Sequence, residues 1–256
     1  MAHFPFLEWP GPLAFAHRGA HGAGSAAGAG ENTMAAFEEA VALGYRYDET
    51  DAHATADEVL VAFHDDRLDR VTDRAGVIGE LPWSEVAAAR VAGGDGVPLL
   101  EELLTAWPDV RVNIDPKHDA AVGPLVELVR RTGTVDRVCI GAFSDRRLAR
   151  IRAGLPGVCT SMGPRHVARL VAASRGLPVG RFAAGCAQVP ERQGKVALVT
   201  DRFVAAAHDR GLQVHVWTVD DQADMARLLD LGVDGIMTDR PDRLRHVLTE
   251  RGAWVG

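Results

Sequence analysis

No stretch of the 256-residue chain approaches the ~20 consecutive apolar residues of a membrane span. Its first residues, Met-Ala-His-Phe-Pro-Phe-Leu-Glu-Trp-Pro, lack both the basic and the sustained apolar segment of a secretory signal. A soluble, cytoplasmic protein is therefore expected, with no stable membrane insertion. Positive charge is also short: 28 Lys and Arg stand against 35 Asp and Glu, a formal net charge of −7 and a pI near 5.8. That balance argues against nucleic acid or an anionic membrane surface as the main partner, because both require a positive footprint. It leaves room for a local basic pocket that takes one phosphate. Cysteine is sparse: Cys139, Cys159 and Cys186 are widely spaced, each in a short apolar or small-residue stretch. This points to buried free thiols in a reducing compartment, and no Cys or paired His occurs at zinc-ligand spacing.

What the chain does contain is a concentration of polar residues at 45–65, which reads as a strand, a turn and a second strand. Side chains alternate faces along a strand, so Glu49 and Asp51 project to the same side, with Cα atoms roughly 6 to 7 Å apart. The apolar run 59–63 then delivers His64 and Asp65 to the point where a strand meets a loop. Before this stretch, 13–16 is a short strand ending in His17-Arg18-Gly19, followed by a Gly/Ala-rich loop to Gly30. Asn32 or Thr33 can cap the next helix, and Gly44 can stop it. Residues 65–97 are rich in charge and turns, with a short helix at 83–89, and read as an insertion after the second strand region.

From Leu99 onward amphipathic helices alternate with short, nearly all-apolar strands, the pattern of a parallel sheet covered on both faces. Strands are expected at 110–115, 138–143, 158–162, 182–189, 213–218 and 235–238. The 182–189 segment is the weakest, since its glycine and alanines have little β preference. With the strands at 13 and 45 the count reaches eight, each followed by a helix-length segment, within ~250 residues. That is the arithmetic of a single TIM (β/α)8 barrel spanning 1–256, with 65–97 inserted in it. A doubly wound sheet would favour a G-x-G-x-x-G turn after the first strand, and Gly19-Ala-His-Gly-Ala-Gly lacks that spacing.

A barrel places its functional residues at the C-terminal strand ends. His17 and Arg18 end the first strand, Glu49 and Asp51 lie in the second, His64 ends the hairpin beside it, Asp115 and Lys117 end the third, and Trp217 ends the seventh. Three carboxylates from two strands, Glu49, Asp51 and Asp115, suit one hard divalent cation, Mg²⁺ or Ca²⁺. Arg18 and Lys117 add positive charge for phosphate oxygens. His17 and His64 supply a general acid and a general base near neutral pH. Together these describe metal-assisted phosphodiester cleavage. His53, His21 and His118 are read as structural or solvated, His215 is left between the core and the site, and Asp239 is expected to cap the last helix.

The chain also resembles a known family. The residues that carry the resemblance are His17-Arg18-Gly19, Glu31-Asn32-Thr33 with Ala36-Phe37, Glu49-x-Asp51 with Thr55-x-Asp57, and His64-Asp65. Pro98-Leu99, Asn113-Ile114-Asp115-x-Lys117, Trp217-Thr218-Val219 and 232–241, ending Thr238-Asp239-Arg240-Pro241, continue it. In this order they resemble the glycerophosphodiester phosphodiesterase family over nearly the whole chain. The resemblance implies a TIM barrel in which the Glu-x-Asp pair and the third-strand acid hold Mg²⁺ or Ca²⁺ and two histidines do acid/base work. It implies hydrolysis of small glycerophosphodiesters, such as glycerophosphocholine or glycerophosphoethanolamine, to glycerol-3-phosphate and an alcohol, with Trp217 against the glycerol or head group. Asp115 stands where the family usually carries Glu, one methylene longer. Two alternatives stay open: a lysophospholipase D-like phosphodiesterase and a non-catalytic barrel that binds a phosphorylated ligand. A metal-dependent amidohydrolase is set aside, because Ala16-His17-Arg18 replaces the His-x-His expected after its first strand.

Overall fold

Residues 3–26, 28–91 and 94–256 are described by the structure, a computed structural model. The strands in chain order are β1 (Leu13–His17), β2 (Tyr47–Ala54), β3 (Leu60–Ala62), β4 (Arg111–Pro116), β5 (Val138–Ile140), β6 (Cys159–Thr160), β7 (Cys186–Pro190), β8 (Arg192–Gln193), β9 (Val196–Ala197), β10 (Gln213–Trp217) and β11 (Gly235–Thr238). The helices are α1 (Met34–Ala42), α2 (Trp83–Val86), α3 (Leu100–Ala106), α4 (Val122–Thr132), α5 (Asp145–Gly154), α6 (Pro164–Ala173), α7 (Asp201–His208), α8 (Gln222–Asp230) and α9 (Pro241–Glu250).

Eight of the strands are parallel, in the order β6-β5-β4-β2-β1-β11-β10-β7, and a single parallel bridge from Ser161 to Cys186 brings the two ends together. The result is a TIM barrel. β3 lies outside it, antiparallel to β2, and pairs His53 with Val61. β8 and β9 form a separate hairpin at the barrel mouth, where Gly194 turns with φ +60°.

The two-residue period sorts each strand between two cores. Outward-facing Val112 and Ile114 of β4 pack on Leu103 and Leu104 of α3 and Leu125 of α4. Val214 and Val216 of β10 pack among residues of α7 and α8 in the same way. Inward-facing Phe15, Tyr47, Cys139, Cys159, Cys186 and Met237 fill the lower barrel. Burying each of the large apolar side chains contributes about 1.5–3 kcal/mol. The three cysteines are buried and free, with the Cys139 and Cys186 Sγ atoms 3.9 Å apart. The N-terminal segment closes the floor. Phe6 packs edge-on against Tyr47, whose hydroxyl donates to the Phe6 carbonyl at 2.8 Å.

Helix starts follow local chemistry. Thr33, Ser144 and Thr200 accept backbone N–H bonds at the starts of α1, α5 and α7, and Asp221 accepts two at the start of α8. Several strands differ from the sequence expectation. β7 starts at Cys186, not 182, because the Gly/Ala-rich residues before it have little side chain to pack. β5 and β6 are shorter than expected, and Gly141 to Phe143 leave the sheet to form part of the mouth. Between β3 and α3, residues 65–91 and 94–97 gather around their own small core of Val61, Phe63, Leu68, Ile78, Val86 and Val91.

Candidate active site

All eight residues singled out above, His17, Arg18, Glu49, Asp51, His64, Asp115, Lys117 and Trp217, line one cavity of about 980 Å³ at the C-terminal ends of the strands. Strand register explains the grouping. β1, β2 and β4 are neighbours, with His17 opposite Glu49, Glu49 opposite Asn113, and Asp51 opposite Asp115.

Directly after β1 the chain must turn sharply beneath the start of α1. Arg18 adopts a left-handed φ of +58° and Gly19 one of +79°. A Cβ on Gly19 would lie 2.7 Å from the Ala36 backbone, so glycine is required there. Two backbone hydrogen bonds hold the turn: the Arg18 N–H donates to the Glu49 carbonyl at 2.9 Å, and the Asn32 N–H to the Arg18 carbonyl at 3.0 Å. Asn32, buried and also left-handed, donates from its amide to Asp51 Oδ2 at 3.2 Å and accepts from the Thr50 hydroxyl at 2.7 Å.

Both imidazoles are anchored through Nδ1. His17 Nδ1 lies 2.5 Å from Asp239 Oδ1, and His64 Nδ1 lies 2.6 Å from Asp65 Oδ1. With Nδ1–H donating to a carboxylate, each ring keeps Nε2 for proton exchange. His17 Nε2 is 3.7 Å from Glu49 Oε2. Burial alone would lower the His17 pKa, but the charges of Glu49 and Asp239 and the Asp239 hydrogen bond outweigh it and hold it above the ordinary value. Asp239 also contacts His21 Nε2 at 3.3 Å. It is held well below the usual carboxylate range because its bonds to the two histidines outweigh the upward push of burial. The expectation that Asp239 caps the last helix is corrected: its carboxylate is spent on His17 and His21, and α9 starts on Arg240 and Pro241 with no side-chain cap.

The second anchor belongs to a chain of charge. Arg70 binds Asp65 and reaches Glu31 with both Nη atoms, at 3.0 and 2.6 Å. Glu31 in turn accepts from Arg18 at 3.1 Å, and Arg18 Nε lies 3.4 Å from Asp51. Asp65 is pulled down to about 2, chiefly by the Arg70 hydrogen bond. His64 is thus oriented by a carboxylate that a second cation holds in place. Sequence reasoning gave Glu31 and Asp65 no role of their own and missed Arg70. The adjacency of Asp65 to His64 was the available signal, whereas Arg70 and Glu31 lie 39 residues apart.

The three acids differ in their surroundings. Asp51 is nearly fully buried, with Lys117 Nζ 2.6 Å from Oδ1. Burial would raise its pKa, and the charges of Lys117 and Arg18 pull it below the ordinary value. Lys117 also reaches Asp115 Oδ2 at 3.0 Å. Burial raises the Asp115 pKa despite that contact. Glu49 is the unsatisfied member. Among the described residues its Oε2 has no hydrogen-bond partner, and burial, with the Asp51 charge added, raises its pKa to about 7. A buried carboxylate oxygen in that condition, beside a second acid on the same strand face and a third in register opposite, is a donor set that a hard cation relieves.

The rest of the cavity has a different character. Met162, Val167, Val171, Val189, Val196 and Leu198, from the α6 region, β7 and the β8–β9 hairpin, give it an apolar wall. Trp217 stands where the two halves meet, edge-on to Phe143 at 5.8 Å, and Phe143 is 70% exposed. His215 lies below this mouth. It is fully buried and linked to Gln188 and Gln213, so it belongs to the barrel interior.

Comparison with known proteins gives a consistent picture. The model of the Glycerophosphoryl diester phosphodiesterase family matches residues 17–243. A protein of Mycobacterium tuberculosis named "Probable glycerophosphodiester phosphodiesterase 2" is 42% identical over 98% of this chain and 96% of its own length. A human protein named as a lysophospholipase D is 30% identical over 85% of this chain and 82% of its own. Among solved structures, a putative glycerophosphoryl diester phosphodiesterase from Silicibacter pomeroyi superposes with a TM-score of 0.81 at 24% identity, covering 99% of this chain and 100% of that one. A phosphodiesterase from Oleispira antarctica, solved in complex with the product sn-glycerol-3-phosphate, gives 0.76 at 20% identity over 93% and 97%.

Proposed function

The chain belongs to the glycerophosphoryl diester phosphodiesterase family and is a phosphoric diester hydrolase, and from this premise we propose that it hydrolyses glycerophosphodiesters, such as glycerophosphocholine and glycerophosphoethanolamine, with the help of one divalent cation and two histidines. The observation that carries the reading is the paired anchoring of His17 and His64. Each donates Nδ1–H to a carboxylate, and both line the cavity that holds Glu49, Asp51 and Asp115.

Glu49, Asp51 and Asp115 would hold the cation. Their all-oxygen set favours Mg²⁺ or Ca²⁺ over softer ions. When bound, the ion supplies Lewis-acid polarisation of the phosphoryl group and neutralises its charge. Arg18 and Lys117, already paired with these acids, present their remaining N–H donors to the phosphate oxygens and stabilise charge that builds during cleavage. One imidazole Nε2 takes the proton of the attacking glycerol 2-hydroxyl and the other gives a proton to the leaving alkoxide, forming a cyclic phosphate that water then opens to glycerol-3-phosphate. Trp217 offers its ring face to the glycerol or head group.

The apolar wall favours a second substrate class, the lysophospholipids, for which the human relative is named. A head group and glycerophosphate of polar atoms leave Met162, Val167, Val171 and Val196 without partners, whereas a single acyl chain covers them.

The deciding experiment measures the alcohol released from glycerophosphocholine, glycerophosphoethanolamine and lysophosphatidylcholine, together with glycerol-3-phosphate from the first two and the acylated glycerol-3-phosphate from the third, first with chelator and then with Mg²⁺, Ca²⁺ or Mn²⁺ restored. Cation-dependent release from the first two is expected. Ligand-induced stabilisation without turnover at any cation concentration would overturn the catalytic reading.

A further inference from the structure

Above the row of Glu49 and Asp51, the next residue of β2 with the same orientation is His53, and it is 2% exposed. Its ring centroid lies 5.2 Å from that of His118, which follows β4. His118 Nε2 is 2.8 Å from Asp66 Oδ1, in the loop two residues beyond His64. One ring nitrogen from each histidine and one carboxylate oxygen of Asp66 fall within 4.8 Å of one another. Sequence reading left both histidines out of any cluster, because they are 65 residues apart and meet only through the pairing of β2 with β4.

From this juxtaposition we infer that His53, Asp66 and His118 form a second metal site, for a borderline transition ion of the Zn²⁺ class, separate from the carboxylate site. Four features carry it. Two imidazoles and one carboxylate are the donors that Zn²⁺, Ni²⁺ or Cu²⁺ prefer and that Mg²⁺ and Ca²⁺ do not. Three protein ligands with an open position for water is a stable arrangement for Zn²⁺. His53 Nε2 lies 3.1 Å from the His64 backbone carbonyl. Donation to a backbone carbonyl is the usual way a metal-binding imidazole is oriented and its other nitrogen left with the lone pair. The other two ligands are open to solvent, with His118 53% and Asp66 65% exposed, which gives the ion an entry path.

The placement bears on the proposed active site. The ion would join β2, the loop after His64 and the segment after β4, and so would steady the turn that presents His64. Neither Asp66 nor His118 lines the cavity.

Isothermal titration with Zn²⁺, in excess Mg²⁺ so that the carboxylate site is filled, tests the proposal, and Co²⁺ substitution adds visible absorption bands as a second readout. One equivalent is expected to bind wild type and to raise Tm, with affinity at least ~10-fold weaker in His118→Ala and in Asp66→Ala. Both substitutions are at exposed positions, and a Tm equal to wild type in the absence of Zn²⁺ verifies folding. Glu49→Gln should bind Zn²⁺ as wild type does. The proposal is overturned if His118→Ala and Asp66→Ala bind as wild type. It is overturned equally if binding is lost in Glu49→Gln or in His21→Ala, which would place the ion on the carboxylates or on the His17, His21 and Asp239 group.

Discussion

Asp239 Oδ1 and His17 Nδ1 stand 2.5 Å apart although 222 residues separate them, because β1 and β11 are neighbouring strands of the barrel. The contact fixes which nitrogen of His17 faces the cavity. On the proposed mechanism Asp239 is a positioning residue, acting through the imidazole. Asp239→Asn should lower kcat about 10²-fold or more with a small change in KM. The substitution also removes the charge that raises the His17 pKa. The limb of the kcat/KM profile governed by His17 should therefore move to lower pH, and an unmoved limb would show that Asp239 is only structural.

His17→Ala and His64→Ala should each reduce turnover by at least ~10²-fold if both imidazoles carry protons. Single-turnover measurement with glycerophosphocholine separates this from slower product release. Near-normal chemistry in either variant would remove that residue from the mechanism.

Chelation should abolish turnover, and Mg²⁺ or Ca²⁺ should restore it. Glu49 carries the unsatisfied buried oxygen. Glu49→Gln should therefore weaken the activating cation at least ~10-fold, read from the concentration that half-restores activity. An unchanged half-restoring concentration would take Glu49 out of the cation site.

Val171, on the α6 side of the cavity, tests the apolar wall. Val171→Asp should lower kcat/KM for lysophosphatidylcholine by at least ~10-fold, since a charge there would face an acyl chain. Hydrolysis of glycerophosphocholine should stay within about twofold. Equal losses on both substrates would mean that no chain lies along α6.

Asp48 faces away from the site and predicts a stability effect. It is completely buried, neither carboxylate oxygen has a hydrogen-bond partner among the described residues, and burial, with Glu49 beside it, raises its pKa well above the ordinary value. Between the unfolded and folded pKa the native state holds a proton that the unfolded state has lost, so stability falls as pH rises through that window. Asp48→Asn cannot lose a proton. Its stability relative to wild type should be higher at pH 8 than at pH 4.5, by on the order of 1 kcal/mol or more, measured by urea unfolding. A pH-independent difference would contradict the shift.

Much of the barrel was legible because strand alternation and helix-length spacing are local. Glu49 with Asp51, and Asp115 with Lys117, could each be placed on one face of their own strand from their spacing by two. What escaped depends on register between distant segments. Asp239 looked like a helix cap because it precedes Pro241, and nothing local says that β11 lies beside β1. Arg70 carried no signal, because its partners Asp65 and Glu31 become neighbours only once two loops fold over the same strand ends. The late start of β7 has a local cause instead, since the Gly/Ala-rich residues before Cys186 have little side chain to pack.

The division of the mouth into a charged side and an apolar side separates two kinds of change. The charged side is cross-linked from Arg70 through Glu31 and Arg18 to Asp51, so a substitution there is felt along the whole chain of contacts. The apolar side, built from α6 and the β8–β9 hairpin, contributes no partner to that chain of contacts. On the proposed reading, substitution on that side would change which alcohol or chain is accepted while leaving this charged network as it is, which makes α6 the place where variation between relatives, or redesign, would act on specificity alone.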